Sequence, residues 1–178
     1  MTSSEKLSAA DTGLPMSLSD VIRQMAGDRP PPVESWDPPH RGDSQMRIAA
    51  DGSWYHQGDP IRRERLVTLF ASILRRDGDE FVLVTPGEKL SIEVEDAPFV
   101  AVEVAVEAGD VVFRLKTGGY VKVDADHPVF MRDAKPYVRV RGGLDARIAR
   151  APWYELAAAV TEEDGLSGLR AGGVFVPL

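Results

Sequence analysis

The stretch DGSWYHQGDPIRRERL, Asp51 to Leu66, sets Trp54, His56 and the arginines Arg62, Arg63 and Arg65 around a turn and a helix start. Guanidinium forks hold phosphate or carboxylate, and an aromatic ring beside an imidazole suits a flat ring ligand. Charge is segregated along the chain in the same spirit. Between Arg62 and Arg76 five arginines stand against one acid, Glu64, whereas Asp77 to Asp110 carries ten acids and one base, Lys89. Arg139, Arg141, Arg147 and Arg150 then face Asp145 alone. One reading is a solvated face with salt bridges between lobes. The other is an anion cradle. Arginines in a first helical turn oppose the helix dipole, at roughly 0.3–1 kcal/mol each when exposed, and a bound anion reverses that sign. A second helix start near Ala151 and Pro152 has a poor cap, with N–H donors unclaimed and Arg147 and Arg150 close by. Two such starts, one per lobe, would form an anion-binding cleft.

Other chemistries find little support. His40, His56 and His127 are far apart, with no H-x-H or H-E-x-x-H pair, so no metal site is nominated. In VDADHPVF, His127 reads as a turn residue, a ligand contact, or, with Asp124 or Asp126, the base of a hydrolase. VTPGEKLS lacks the spacing of a phosphate loop, which leaves Glu88-Lys89 as a turn whose lysine is either exposed or reaches an anion. Cysteine is absent, and neither a Ser-His-Asp set, paired catalytic carboxylates nor a glycine-rich dinucleotide fingerprint can be assembled. No catalytic residue and no cofactor are therefore expected.

The elements that must position these groups read as follows. A chain of 178 residues, 43% hydrophobic, supports one compact domain or two small ones packed together. The formal charge of -7 argues against a general binder of nucleic acid or anionic membrane. The opening MTSSEKLSAADTG has no apolar core for a signal peptide and no run reaches membrane-span length, so a soluble, cytoplasmic protein is expected. Ser17 caps a short helix with Leu18, Val21, Ile22 and Met25 on one face, followed by a proline-rich wrap pinned by Trp36. MRIAADGSWYHQG is a hairpin about Asp51-Gly52. Asp59 and Pro60 suit the cap and first position of a helix whose Leu66, Leu69, Phe70, Ile73 and Leu74 form a buried stripe, with Asp77-Gly78 as its stop. FVLVTP, LSIEVE, FVAVEVAVE, VVFRLK and GYVKVD are strands of antiparallel, one-wet-face character, PWYELAAAVTEED is a second helix, and GVFVPL closes the chain as a strand. The class is α+β.

Self-similarity organises these elements. Ile61-x-Arg63-x-x-Leu66-Val67-x-Leu69 is echoed by Ile148-x-Arg150-x-x-Trp153-Tyr154-x-Leu156, 87 residues on. Each copy follows a hairpin with an apolar-Arg-apolar entry and precedes a strand ending near a proline. The division expected is a tail and short helix over 1–31, a first lobe over 32–96 and a second over 97–178, meeting at an interface where ligand pockets commonly lie.

Five ordered motifs, DG-x-W-x-x-x-G-x-PI-x-R-x-x-LV-x-LF-x-x-IL at 51–74, FVLVTP-x-EK at 81–89, VEDAPF at 94–99, ADHP at 125–128 and VRGGL-x-AR-I-x-R at 140–150, resemble the bacterial DUF1285 family. The resemblance runs from about Pro32 to Leu178, with Pro152 as a departure where a more helix-compatible residue is expected. It implies two similar β-rich lobes from a duplication, the second loosely like a pleckstrin-homology fold. It implies no established activity, and a role in binding a nucleotide-like ligand between the lobes, in signalling and stress. The function expected is thus a non-catalytic module for a small anionic ligand. Arg63, Lys89, Arg141, Arg147 and Arg150 would hold the charge, and Trp54, His56 and His127 would flank or orient a ring. A protein-interaction module without a small ligand is the alternative, and a hydrolase using His127 a third reading.

Overall fold

Alternating apolar residues on either side of Asp51-Gly52 make the hairpin that the sequence demands. β1 (His40–Ile48) returns as β2 (Trp54–His56). Gly52 sits at φ +82°, and the Asp51 carboxylate accepts the Ser53 N–H at 2.9 Å. The computed structural model describes residues 30–178, so the helix read over Ser17–Gly27 lies outside the described residues.

Asp59 and Pro60 do not open the helix. They form β3 (Asp59–Pro60), a short extension in which Tyr55 pairs with Pro60 and His56 with Asp59. The Ile61 N–H continues that pairing to the Trp54 carbonyl at 2.8 Å. α1 (Glu64–Ser72) therefore starts after Arg63, and its first turn carries an acid, Glu64. The expected stripe is correspondingly thinner. Leu74 is fully buried but belongs to β4 (Leu74–Asp77), while Leu66 and Leu69 stay 36% and 57% exposed. Asp77-Gly78 ends no helix; it turns β4 into β5 (Glu80–Val84), with Asp77 paired to Glu80. β6 (Glu88–Val94) completes the first sheet.

The second sheet comprises β7 (Phe99–Glu107), β8 (Asp110–Leu115), β9 (Tyr120–Lys122), β10 (Val129–Arg132), β11 (Lys135–Arg141) and β12 (Leu144–Ile148). α2 (Arg150–Ala157) follows, then a small meander of β13 (Thr161–Glu163), β14 (Leu166–Ala171) and β15 (Val174–Pro177). In that meander a Cβ on Gly168 would run into the Phe175 ring, so the aromatic occupies the space that a side chain would fill.

The two large sheets share one strand order. The first runs β3-β2-β1-β6-β5-β4 and the second, from its other edge, β9-β8-β7-β12-β11-β10. In both, the sheet's first and last strands in sequence lie parallel at the centre: Ile48 pairs with Val94, and Ala101 with Ile148. These are two β-rich lobes, and their correspondence is not the one that the 87-residue echo suggests. Ile61 precedes a helix between third and fourth strands, whereas Ile148 ends a sixth strand. An apolar-x-Arg entry is local grammar for leaving extended backbone and does not report strand order.

One apolar core runs through both lobes, with Ile48, Leu74, Phe113, Leu144, Ile148 and Leu156 at 0–1% exposure. Several contacts seat the first lobe on the second, three of them central. The Gly52 turn lies on Val100, where a Cβ at residue 52 would be 2.8 Å from Val100 Cγ2. Thr68 Oγ1 donates to the Thr117 carbonyl at 2.8 Å. Arg141 reaches from β11 to the C-terminal end of α1, donating to the Ala71 and Leu74 carbonyls at 2.9 and 2.8 Å. The proline-rich wrap, in which Trp36 is half-buried, is held by Arg75. Its guanidinium donates to the Val33 and Trp36 carbonyls at 2.7 and 2.6 Å.

Candidate functional site

A cavity of about 480 Å³ opens where the β1–β2 hairpin and the start of α1 face the β8–β9 turn. The first lobe contributes Trp54, Arg62 and Thr68, the second Arg114, Lys116 and Thr117. Its walls thus carry three cations against one acid, Glu64. The hairpin turn places Trp54 on β2, where it is 2% exposed and stacks on Phe70 with ring centroids 6.4 Å apart. Its indole Nε1 is buried and has no hydrogen-bond partner among the described residues. Arg114 forms two bonds to Glu103, at 2.6 and 2.7 Å, which hold the Glu103 carboxyl below its usual range and raise the Arg114 guanidinium. Lys116 Nζ donates to the Asp51 carbonyl at 2.8 Å and so bridges the lobes at the cavity's edge. Arg62 is exposed at its mouth.

Of the residues singled out from sequence, Trp54 lines this cavity. His56 is exposed at the end of β2, and Arg63 is the exposed residue in extended backbone just before α1. The remaining five lie elsewhere, each with a partner. Lys89 is not in a turn but in β6, its Nζ 2.7 Å from Asp77 Oδ2. His127 closes the loop between β9 and β10, its Nδ1 2.8 Å and its backbone N–H 2.9 Å from Asp124 Oδ1. Arg141 caps α1, and burial pulls its guanidinium below the ordinary value. Arg147 Nη1 lies 3.2 Å from Asp96 Oδ2, with its Nε buried and without a partner among the described residues. Arg150 opens α2 and donates to the Tyr154 hydroxyl at 3.3 Å.

The picture of two helix starts sharing one cleft is corrected. α1 opens beside the cavity, but α2, capped at Ala149 and begun at Arg150, contributes no lining residue. The reason is topological: α1 falls between a lobe's third and fourth strands, α2 after a sixth. Sequence reasoning missed Arg114, Lys116 and Thr117 as site residues. Their signal was a hairpin tip, Lys116-Thr117-Gly118-Gly119, indistinguishable from any exposed turn until the first lobe is docked on it.

Among the described residues no three His, Asp or Glu side chains come together as a metal would require. No helix among them is long and apolar enough to cross a membrane.

Residues 31–97 match the domain of unknown function DUF1285, N-terminal domain, and residues 98–178 its C-terminal domain. The fold is similar to that of a DUF1285 family protein from Silicibacter pomeroyi DSS-3, with a TM-score of 0.76 and 42% identity over 89% of this chain and 93% of that one. A DUF1285 family protein from Shewanella baltica OS155 is also similar, with a TM-score of 0.57 and 27% identity over 65% of this chain and 91% of that one. No curated protein matches the chain. With both of its lobes matched in order and a solved relative of the same build, the chain belongs to the DUF1285 family.

Proposed function

We propose that the interlobe cavity binds a small anionic, nucleotide-like ligand without turning it over, in a signalling role tied to stress. The observation that carries this reading is the cavity itself: about 480 Å³, walled by Arg62, Arg114 and Lys116 against Glu64, beside the Trp54 ring. Cavities that enclose small ligands span roughly 300–1,000 Å³. Arg62 and Lys116 supply the charge, since Arg114 is already committed to Glu103. The free N–H groups at the start of α1 add to the attraction. His56 and His127 lie off the cavity wall, which favours binding over proton-transfer chemistry. Because the walls come from both lobes, occupancy would stiffen the seam between them, and that stiffening would be the signal. In this reading the shared strand order records an internal duplication, and the C-terminal lobe, a sheet followed by a helix, serves as a pleckstrin-homology-like scaffold.

The test is thermal denaturation at low salt with phosphate and with mono-, di- and cyclic nucleotides, repeated on Arg62→Ala and Lys116→Ala. At a hundredfold excess over Kd, one ligand class is expected to raise Tm by roughly 5–10 °C, and both variants to lose the rise. No shift with any of them overturns the proposal. A protein-docking role is the alternative, and the observation favouring it is the arginine-bearing face of the second sheet.

A further inference from the structure

Across β10, β11 and β12 one face of the second sheet carries arginines, aromatic rings and a buried carboxylate. The register sets Phe130 opposite Tyr137 and Tyr137 opposite Arg147, with Arg139 opposite Asp145 in the next row. Asp145, whose side chain is 5% exposed, accepts Arg139 Nε at 2.5 Å on one oxygen and Arg132 Nη1 at 3.1 Å on the other. The Arg132 guanidinium lies 4.0 Å from the centre of the Tyr137 ring, which stacks on Phe130 at 5.8 Å. Alongside, Asp96 accepts the Tyr137 hydroxyl at 2.6 Å and Arg147 at 3.2 Å.

Arg147 and Asp96 cancel in charge. Arg132, Asp145 and Arg139 leave one positive charge over, and the exposed Lys135 opposite Arg132 adds another, on a protein whose formal charge is -7. One arginine would have neutralised the buried carboxylate, so the second is surplus to folding. Each guanidinium has five N–H donors, and the two side chains remain 40% and 41% exposed while Asp145 and the rings hold them in place. The result is a preformed fork for a carboxylate. Beside it, β10 is the last strand of its sheet and has a hydrogen-bonded neighbour on one side only among the described residues.

The class of partner follows from shape and charge. A sheet face does not enclose a small molecule as a cavity does. So small a surplus is too little for the counterion release that drives binding to nucleic acid. An open strand edge takes another extended chain through main-chain hydrogen bonds, and the one charge left over on the Arg132–Asp145–Arg139 cluster is matched by one carboxylate. We propose that β10 is a docking edge for an extended acidic segment of a partner protein. The segment adds as a strand beside β10 and sets a glutamate on the Arg132–Arg139 fork.

The test uses the full chain and a fluorescein-labelled peptide of alternating valine and glutamate, with a glutamine counterpart. Saturable binding of the glutamate peptide is expected, weakened by salt, with the glutamine peptide about tenfold weaker or more. Arg132→Gln and Arg139→Gln should each cost a similar factor. Because those changes also strip a partner from buried Asp145, the unmodified protein is mapped in parallel by backbone amide shifts, expected to cluster at Val129–Arg132 and Lys135–Arg139. Failure to bind the glutamate peptide, equal affinity for the glutamine peptide, or shifts centred on the interlobe cavity would each overturn the proposal. So would a two-chain mass in sedimentation without peptide, which assigns the edge to a second copy.

Discussion

Asp77 is where a single residue's environment carries a measurable consequence. Arg75 donates two bonds to its carboxylate, at 2.7 and 2.9 Å, and Lys89 one at 2.7 Å, which together bring its pKa down from 3.8 to about 2. A carboxyl whose folded pKa is depressed stabilises the fold above the unfolded value and loses that contribution as pH falls through the folded one. Urea unfolding between neutral pH and pH 2 should therefore show a component on the order of 1 kcal/mol vanishing between 3.8 and about 2, absent in Asp77→Asn. The same cluster explains a misreading. In sequence, Lys89 is the one base among ten acids and invites a ligand role. Its partner Asp77 is twelve residues away on another strand, a pairing that only the sheet register creates. Trp54 was legible because an aromatic two residues past an Asp-Gly turn must sit on a strand leaving a hairpin. Arg147 and His127 were legible as residue types but not in role, since Asp96 and Asp124 complete each locally.

At the scale of elements, α1 depends on the other lobe. Its last carbonyls have no helical partners, and Arg141 supplies a donor to Ala71 from β11 while a second of its N–H groups reaches Leu74 at the start of β4. Among the described residues no carboxylate bonds this guanidinium; the negative end of the helix dipole takes that place. Arg141→Ala should lower stability by about 2–3 kcal/mol, and Arg141→Lys, with fewer donors in a fixed plane, by less than that; chemical denaturation measures both. The elements best read from sequence were those with a two-residue period and a glycine turn, from β5 through β9. Asp59-Pro60 misled because a proline after an acid serves a strand extension as well as a helix start, and the choice fell to pairing with Tyr55. β10 to β12 went unread because Arg132, Arg139, Arg141, Asp145 and Arg147 look in sequence like a charged loop until the register stacks them.

For the whole molecule, the two lobes share one apolar core and are tied by the Gly52 turn, Thr68 and Arg141. Calorimetry should accordingly show one unfolding transition, with equal calorimetric and van't Hoff enthalpies, rather than two. Two separable transitions would contradict a shared core. The division into two β-rich units was legible in the sequence, whereas their correspondence was not, because strand order is a long-range property that no local echo encodes. That order bears on how the chain is made. The parallel central pair of each six-stranded sheet joins the first of its strands in sequence to the last. On the ribosome, β1 can pair with β2 as soon as both emerge, but its other edge stays open until β6 follows, and β7 waits likewise for β12. Contacts this distant in sequence close slowly, and an open apolar edge invites wrong partners meanwhile. The period of greatest exposure to aggregation therefore comes twice in each round of synthesis, ending first with β6 and then with β12.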